Sequence, residues 1–304
     1  MQFVNSIILL FALFPALAFA TPLLVENVAP GVYVHHGEHK DINVGYGGDI
    51  CNISFVIGSK GVAVIDTGGS PKTGTRLRDA IRNITQLPIL YVINTHVHPD
   101  HSLGNAAFKQ DHPVFVGHSK LDNVMALRRE TYLRNQPQWV GVDAAGSELI
   151  PPTLPVASVS EIDLGGRTLR LTAYPIAHSP ADLSVFDTAS NTLWTGDLLF
   201  IERTPSIDGD VPGWLKVIEQ LREIQASHVV PGHGAVTTNL SAALDDEKRY
   251  LSVLLADVRS AIKRGDSLEL TIENAAKSEK GKWVLFDVIN RRNVALLFPV
   301  LEWE

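Results

Sequence analysis

The run Thr95-His96-Val97-His98-Pro99-Asp100-His101 constrains this chain more than any other feature. Three imidazoles and one carboxylate fall within six residues, directly after the apolar stretch Ile89-Leu90-Tyr91-Val92-Ile93-Asn94. A borderline-soft divalent cation such as zinc takes imidazole nitrogen and carboxylate oxygen as ligands. A run this dense at a strand end reads as half of a metal site built for two ions. The fold must then bring the remaining ligands to the same place.

Four further groups follow strand-like runs in a fixed order. Asp66 ends Val62-Ala63-Val64-Ile65 and precedes Thr67-Gly68-Gly69. His178 stands in Pro175-Ile176-Ala177-His178-Ser179-Pro180, after the alternating Leu169, Leu171 and Ala173. Asp197 stands in Trp194-Thr195-Gly196-Asp197, and His233 in Pro231-Gly232-His233-Gly234 after Val229-Val230. The neighbouring glycines permit sharp turns and close backbone approach. Singly, His178 is a satisfied histidine and Asp66 a turn residue. Together with the His run they form a constellation.

Strands precede helices in both halves of the chain. Val32 to His35, Ile53 to Ile57 and Val62 to Ile65 read as strands, and the spacing of Leu77, Ala80, Ile81 and Ile84 predicts a helix over 73–85. Residues 119–136 read as helical, and 137–158 as Pro-rich and irregular. Leu183 to Phe186 and Thr192 to Trp194 flank a turn and predict a hairpin. Leu251, Leu254, Leu255, Val258 and Ile262 mark a long amphipathic helix ended by Gly265, followed by one or two more helices. Two such halves pack sheet on sheet with helices outside, and ligands at strand ends then meet on one rim. The Gly-rich loop 37–48 and the segment 137–158 are expected to wall the site. Among the remaining histidines, His35, His36 and His39 border that loop and are secondary candidates, while His112, His118 and His228 read as surface or structural.

The chain has 304 residues, 45% hydrophobic and 19% charged, with a formal net charge of −7. No basic surface suited to nucleic acid is implied. Residues 1–20 read as a signal peptide: Ile7 to Ala20 is apolar, and Ala18-Phe19-Ala20 is an A-x-A cleavage site. Residues 21–304 then form the mature unit, with a helical extension from about 241. Localisation is periplasmic or secreted, without stable membrane insertion after cleavage. Cys51 is the single cysteine, so no internal disulfide framework exists, and its place beside a strand marks a small buried hydrophobe. Asn52, Asn83 and Asn239 start N-x-S/T triplets that read as chance occurrences.

On Asp66, His96-x-His98-x-Asp100-His101, His178, Asp197 and His233, the chain resembles the metallo-β-lactamase superfamily. The resemblance covers roughly residues 30–235. It implies an α/β fold, an αββα sandwich of two mixed sheets packed face to face with helices outside. It also implies two Zn²⁺: His96, His98 and His178 around the first, Asp100, His101 and His233 around the second, and Asp197 bridging. Asp66 would orient the ligand loop, and Asp100 would also be catalytic, orienting or deprotonating a metal-bound hydroxide. Within the superfamily the chain is similar to the SoxH-like quinoprotein relay system zinc metallohydrolases. That similarity rests on Gly31 to Gly37, Asp49 to Phe55, Arg203 to Gly209 and Leu301 to Glu304. The implied activity is a zinc-dependent metallo-hydrolase acting on a small-molecule ester, thioester or lactone, with a periplasmic redox protein as partner. A carboxylate at Asp197 distinguishes the resemblance from class B β-lactamases. The other readings are such a β-lactamase, a mononuclear iron persulfide dioxygenase and a non-catalytic zinc-binding accessory protein. Arg203 and Asp208 read as a salt bridge or turn, with substrate contact as the alternative.

Export predicts cleavage after Ala20, leaving Thr21 as the amino terminus. N-terminal sequencing of exported protein checks this; membrane fractions that retain residues 1–20 would indicate an anchor instead.

Overall fold

The computed structural model describes residues 21–43 and 45–304; the expected signal segment 1–20 lies outside the described residues. Among the described residues, no helix is long and apolar enough to cross a membrane.

A seven-stranded sheet runs in sequence order through β1 (Glu26–Ala29), β2 (Val32–His35), β3 (Ile53–Ile57), β4 (Val62–Ile65), β5 (Ile89–Ile93), β6 (Val114–His118) and β7 (Leu154–Val156). Pairing is antiparallel from β1 to β4 and parallel from β4 to β7. The switch follows from the connections. Short turns join β1 to β2 and β3 to β4, and the loop 36–52 joins β2 to β3, whereas α1 (Pro71–Ile84) carries the chain back between β4 and β5. A five-stranded sheet, ordered β12-β11-β10-β9-β8, holds β8 (Val159–Asp163), β9 (Thr168–Ala173), β10 (Leu183–Asp187), β11 (Thr192–Phe200) and β12 (His228–His233). Its β11–β12 pair is parallel, linked through α4 (Val211–Arg222), and the others are antiparallel.

Side-chain alternation explains the layering, because successive residues of a strand point to opposite faces. Ile65, Ile93 and Val116 of the first sheet meet Leu171, Val185 and Trp194 of the second in the core between the sheets. Their neighbours face outward. Val64 and Val92 pack under Leu77 and Ile81 of α1. Leu193 and Val229 pack under Trp214 of α4 and Leu251 and Leu254 of α5 (Leu240–Arg264). Sheet on sheet with helices outside is the αββα sandwich the sequence led us to expect.

Local chemistry sets the helix limits. Ser70 caps α1 by accepting from the Thr73 amide, and Pro71 follows at the first helical position. Asp210 and Asn239 cap α4 and α5 in the same way. Gly265, at φ 78°, ends α5. The short α2 (Pro99–Ser102) carries Asp100 and His101. The chain closes with α6 (Leu268–Asn274) and α7 (Phe286–Leu301), and α7 packs on α5 and the second sheet's outer face.

The region 137–158 departs from expectation. The helix α3 (Leu121–Val140) runs through Pro137. An interior proline costs about 3 kcal/mol. Here Trp139 and Val140, beyond it, pack with Tyr46 and Ile50, and that burial holds the last turn. Residues 154–156, read as irregular, form the edge strand β7, where Pro155 is tolerated because an edge leaves one side unpaired. β8 buries only Ile162, too weak an alternation to read as a strand.

One buried side chain ties the two sheets at their shared rim. Asn52, 5% exposed, donates from Nδ2 to the carbonyls of Pro231 at 2.9 Å and Gly234 at 2.8 Å. Its backbone N–H donates to the Gly232 carbonyl at 2.8 Å. Burial also leaves this N-x-S triplet inaccessible for glycosylation. Asn52→Ala should destabilise the protein by about 2–4 kcal/mol, since two buried carbonyls lose their donor. Urea unfolding measures this; a change within ~0.5 kcal/mol would mean that the rim is held elsewhere.

Candidate metal centre

Every residue proposed as a ligand reaches one rim of the sandwich. Asp66 follows β4, the His run follows β5, His178 follows β9, and His233 ends β12. Asp197 differs: it lies inside β11, where the pairing with β12 slips on either side of Gly196. Gly196 has φ 52°, and a Cβ there would stand 2.5 Å from the Thr95 Cβ. A Cβ on Gly232 would stand 1.9 Å from Asp197 Oδ1. Both positions therefore exclude side chains, and the Asp197 carboxylate drops into the gap.

The ligand atoms form two overlapping groups. His96, His98, His178 and Asp197 each offer one atom, all within 4.8 Å of one another. His101, Asp197 and His233 do the same. Asp100 joins the second group, with Oδ2 at 3.4 Å from His233 Nε2 and 3.6 Å from His101 Nε2. Asp197 touches both groups: Oδ2 lies 3.6, 3.4 and 3.4 Å from Nε2 of His96, His178 and His233, and Oδ1 lies 3.2 Å from His101 Nε2.

Each imidazole spends one nitrogen outward and turns the other inward. The outward partners are acceptors, so they fix the tautomer. His178 Nδ1 donates to the Ser206 carbonyl at 2.8 Å, and His233 Nδ1 to that of Ile50 at 2.7 Å. His101 Nδ1 donates to Asp66 Oδ2 at 2.8 Å. His96 Nδ1 donates to Thr95 Oγ1 at 3.0 Å, whose own proton goes to Asp66 Oδ2 at 2.7 Å. His98 is reversed: Nε2 donates to Asp208 Oδ2 at 2.9 Å, leaving Nδ1 inward. Arg128 of α3 pins that same Asp208 oxygen at 2.8 Å.

The inward atoms suit a cation. His98 Nδ1 lies 3.0 Å from His96 Nε2 and 3.1 Å from His178 Nε2. Three imidazole nitrogens directed at one point cannot all satisfy each other. His101 Nε2 and Asp197 Oδ1 are buried without any hydrogen-bond partner among the described residues. Burial keeps His96 and His178 neutral, with His178 lowered to about 3, and lowers His233 as well. Neutral imidazole is the metal-binding form. Burial disfavours charge on His101, but Asp197, Asp100 and Asp66 together raise its pKa well above the ordinary value. Burial opposes ionisation of Asp197, yet His233, His101 and His96 hold it well below the carboxylate range. The histidine and aspartate groups are thus placed to bind a metal ion.

A cavity of ≈ 130 Å³ opens over this cluster, bounded by Ile42, Phe200 and two arginines, Arg203 and Arg292. Ile42 comes from the loop 37–48, which overhangs the site as expected. No residue of 137–158 lines the cavity, so that half of the expectation fails. Trp139 instead packs on Tyr132 and beside Tyr46 and Ile50. A larger cavity of ≈ 500 Å³, also lined by Phe200, includes Glu202, Arg249 and Trp283, with no ligand cluster among the described residues.

Other residues resolve as follows. His35 bonds Leu24 O and Asp49, His36 bonds Glu26, and His39 bonds Glu202, so none joins the cluster. His118 is structural, bonded to the Tyr174 carbonyl. Cys51 is buried as read, but its sulfur lies within ligand distance of Asp100 and His101. Burial, with Asp100, Asp66 and Asp197 nearby, pushes its thiol pKa well up, and it donates to the Asp100 carbonyl at 2.8 Å. A protonated thiol is a poor ligand. Spacing along the chain could not have revealed this neighbour. Asp208 holds His98 and makes its ion pair with Arg128, whereas Arg203, read with it as a salt-bridge or turn residue, donates to the Lys40 carbonyl and has no carboxylate within ion-pair distance among the described residues.

Outer partners of metal ligands typically contribute 10–100-fold in affinity. Asp208→Ala should weaken metal retention against a chelator by about that factor. Unchanged retention would reduce Asp208 to a salt-bridge partner of Arg128.

Comparison with known proteins places the fold. The chain resembles a metallo-beta-lactamase from Pontibacter korlensis at 20% identity, with a TM-score of 0.61 over 76% of this chain and 99% of that one. It also resembles the stereoselective inverting sec-alkylsulfatase Pisa1 from Pseudomonas sp. at 15% identity, with a TM-score of 0.71 over 91% of this chain and 50% of that one. Residues 46–233, more than half the chain, match the family model of the metallo-beta-lactamase superfamily, and the chain belongs to that superfamily.

Proposed function

We propose that this protein is an exported hydrolase that holds two zinc ions and cleaves an ester, thioester or lactone bond. The observation that carries the reading is the Asp197 carboxylate, one oxygen facing His96, His178 and His233 and the other facing His101. A single carboxylate shared between two groups of inward nitrogens suits two neighbouring cations, whose mutual repulsion it reduces. The donor set is nitrogen and oxygen only, which fits zinc. His96, His98 and His178 would hold one ion, and Asp100, His101 and His233 the other, with Asp197 between them. The superfamily is generally one of hydrolytic metalloenzymes, and the subgroup resemblance makes a periplasmic quinoprotein system the setting that fits best.

When bound, zinc supplies Lewis acidity that polarises a substrate oxygen and makes water reactive near neutral pH. The remaining work belongs to the protein. Asp100 lines the cavity and turns Oδ2 to His101 and His233, which leaves Oδ1 to orient the attacking water and accept its proton. Asp66 holds His101 and, through Thr95, His96, so the ligand run keeps its shape during turnover. Phe200 stacks on His233 at 5.1 Å and is tilted against His178, giving the cavity an apolar wall that limits water. Glu247 of α5 fixes Phe200 by accepting its backbone N–H at 2.9 Å.

Purified protein should contain about two zinc ions per chain by elemental analysis. Asp197→Ala should lose one of them, and its hydrolysis should fall by more than the roughly 10–100-fold typical of an outer partner such as Asp66. On one zinc-loaded preparation, kcat/KM for esters, thioesters or lactones should exceed that for penicillins and carbapenems. A single iron per chain would favour the dioxygenase chemistry. Efficient β-lactam turnover with negligible ester cleavage would overturn the reaction class.

A further inference from the structure

Two arginines border the metal cavity, and one of them has no carboxylate partner. Arg203 is 6% exposed, and no Asp or Glu among the described residues lies within ion-pair distance. Its Nη1 donates to the Lys40 carbonyl at 3.0 Å, while its Nε is buried without a partner. Arg292, on α7, is paired with Asp41, and its Nε too is buried and unpartnered. Both side chains line the ≈ 130 Å³ cavity beside Asp100, Asp197 and His233. Lys40 and Asp41 of the loop 37–48 hold both guanidinium groups at the edge of the cavity.

An uncompensated buried guanidinium is costly. Burial opposes charge on Arg203; Asp41, one carboxylate that favours it, is already paired with Arg292, and the other two are Asp100 and Asp197. On the two-zinc reading, on which this inference rests, both carboxylates are committed to metal. Arg203 then faces an electropositive cavity and requires an anion. A planar fork of N–H donors matches an oxyanion better than a point charge does. We infer that Arg203 and Arg292 form an oxyanion-binding pocket at the metal cavity, and that the substrate carries a carboxylate- or sulfate-type group beside the bond that is cut. Arg203 follows β11 and Arg292 comes from α7, with loop 37–48 holding both, so three parts of the chain far apart in sequence assemble this pocket.

The test compares zinc-loaded wild-type protein with R203M and R292M. Two esters share a leaving group and acyl length: 4-nitrophenyl hexanoate and the mono-4-nitrophenyl ester of adipic acid, whose acyl chain ends in a carboxylate. Wild type should prefer the adipate ester, and each variant should reduce that preference by roughly ten- to a hundredfold, mainly through KM. A role only in anchoring loop 37–48 would instead lower kcat/KM for both esters equally. The second readout is binding of inorganic sulfate, measured as a saturable rise in Tm against chloride at equal ionic strength. Wild type should show it, and both variants should lose most of it. Arg292 is less buried, so R292M keeps the test decisive if R203M does not fold. Esters cleaved without preference, and no saturable sulfate effect, would overturn the pocket while leaving the hydrolase reading intact. A variant-sensitive sulfate effect in a protein that cleaves no ester would support the pocket and count against the hydrolase.

Discussion

The Asp66 carboxylate organises the rim on which everything else depends. It stands at the end of β4 with φ 56°, a left-handed backbone that costs a non-glycine residue about 1–2 kcal/mol. Three hydrogen bonds hold it there: from the Thr95 amide at 2.9 Å, the Thr95 hydroxyl at 2.7 Å and His101 Nδ1 at 2.8 Å. Bonds to a charged group contribute about 1.5–3 kcal/mol each, so together they outweigh the strain. They bind the end of β4 to the turn after β5 and orient His101 directly and His96 through Thr95. The ligand run is thereby a rigid part of the first sheet.

The second sheet brings its ligands to that frame by different means. Gly196 and Gly232 clear space for Asp197, and backbone carbonyls, not side chains, orient His178 and His233. His233 is held by Ile50, a residue of the first half of the chain. Asn52, two residues on, donates to carbonyls on either side of His233. The same short segment thus sets both the spacing of the sheets and one ligand. Site geometry and sheet packing are one constraint.

The helices also shape the candidate site. α3 sends Arg128 to Asp208 and so to His98. α5 sends Glu247 to Phe200, which backs His233 and His178. Burial raises the Glu247 pKa well above the ordinary value. α7 sends Arg292 to the cavity edge, where loop 37–48 meets it through Asp41. Elements that look peripheral in the layer diagram therefore shape the cavity from behind and from above.

The seven ligand candidates and the two-sheet fold were legible in the sequence because both are written in local patterns. Strand alternation and helical spacing are short-range, and each ligand candidate follows an apolar run, although Asp197 proves to lie inside its strand. What stayed hidden depends on chain segments far apart in sequence. Asp208 could be read as an ion-pair residue, but its hold on His98, 110 residues away, appears only in three dimensions. Cys51 beside Asp100, and Arg292 beside Arg203, likewise carry no signal in their spacing. Residues 137–158 misled for the related reason that Pro137 argues locally against a helix, while packing of Trp139 and Val140 on Tyr46 and Ile50 argues for one. The sequence by itself determined which residues are candidate metal ligands and the layers that present them. Only the tertiary structure decided which nitrogen each histidine turns inward, which carboxylate the two groups share and which charges border the cavity, because those depend on contacts made after the sheets have packed.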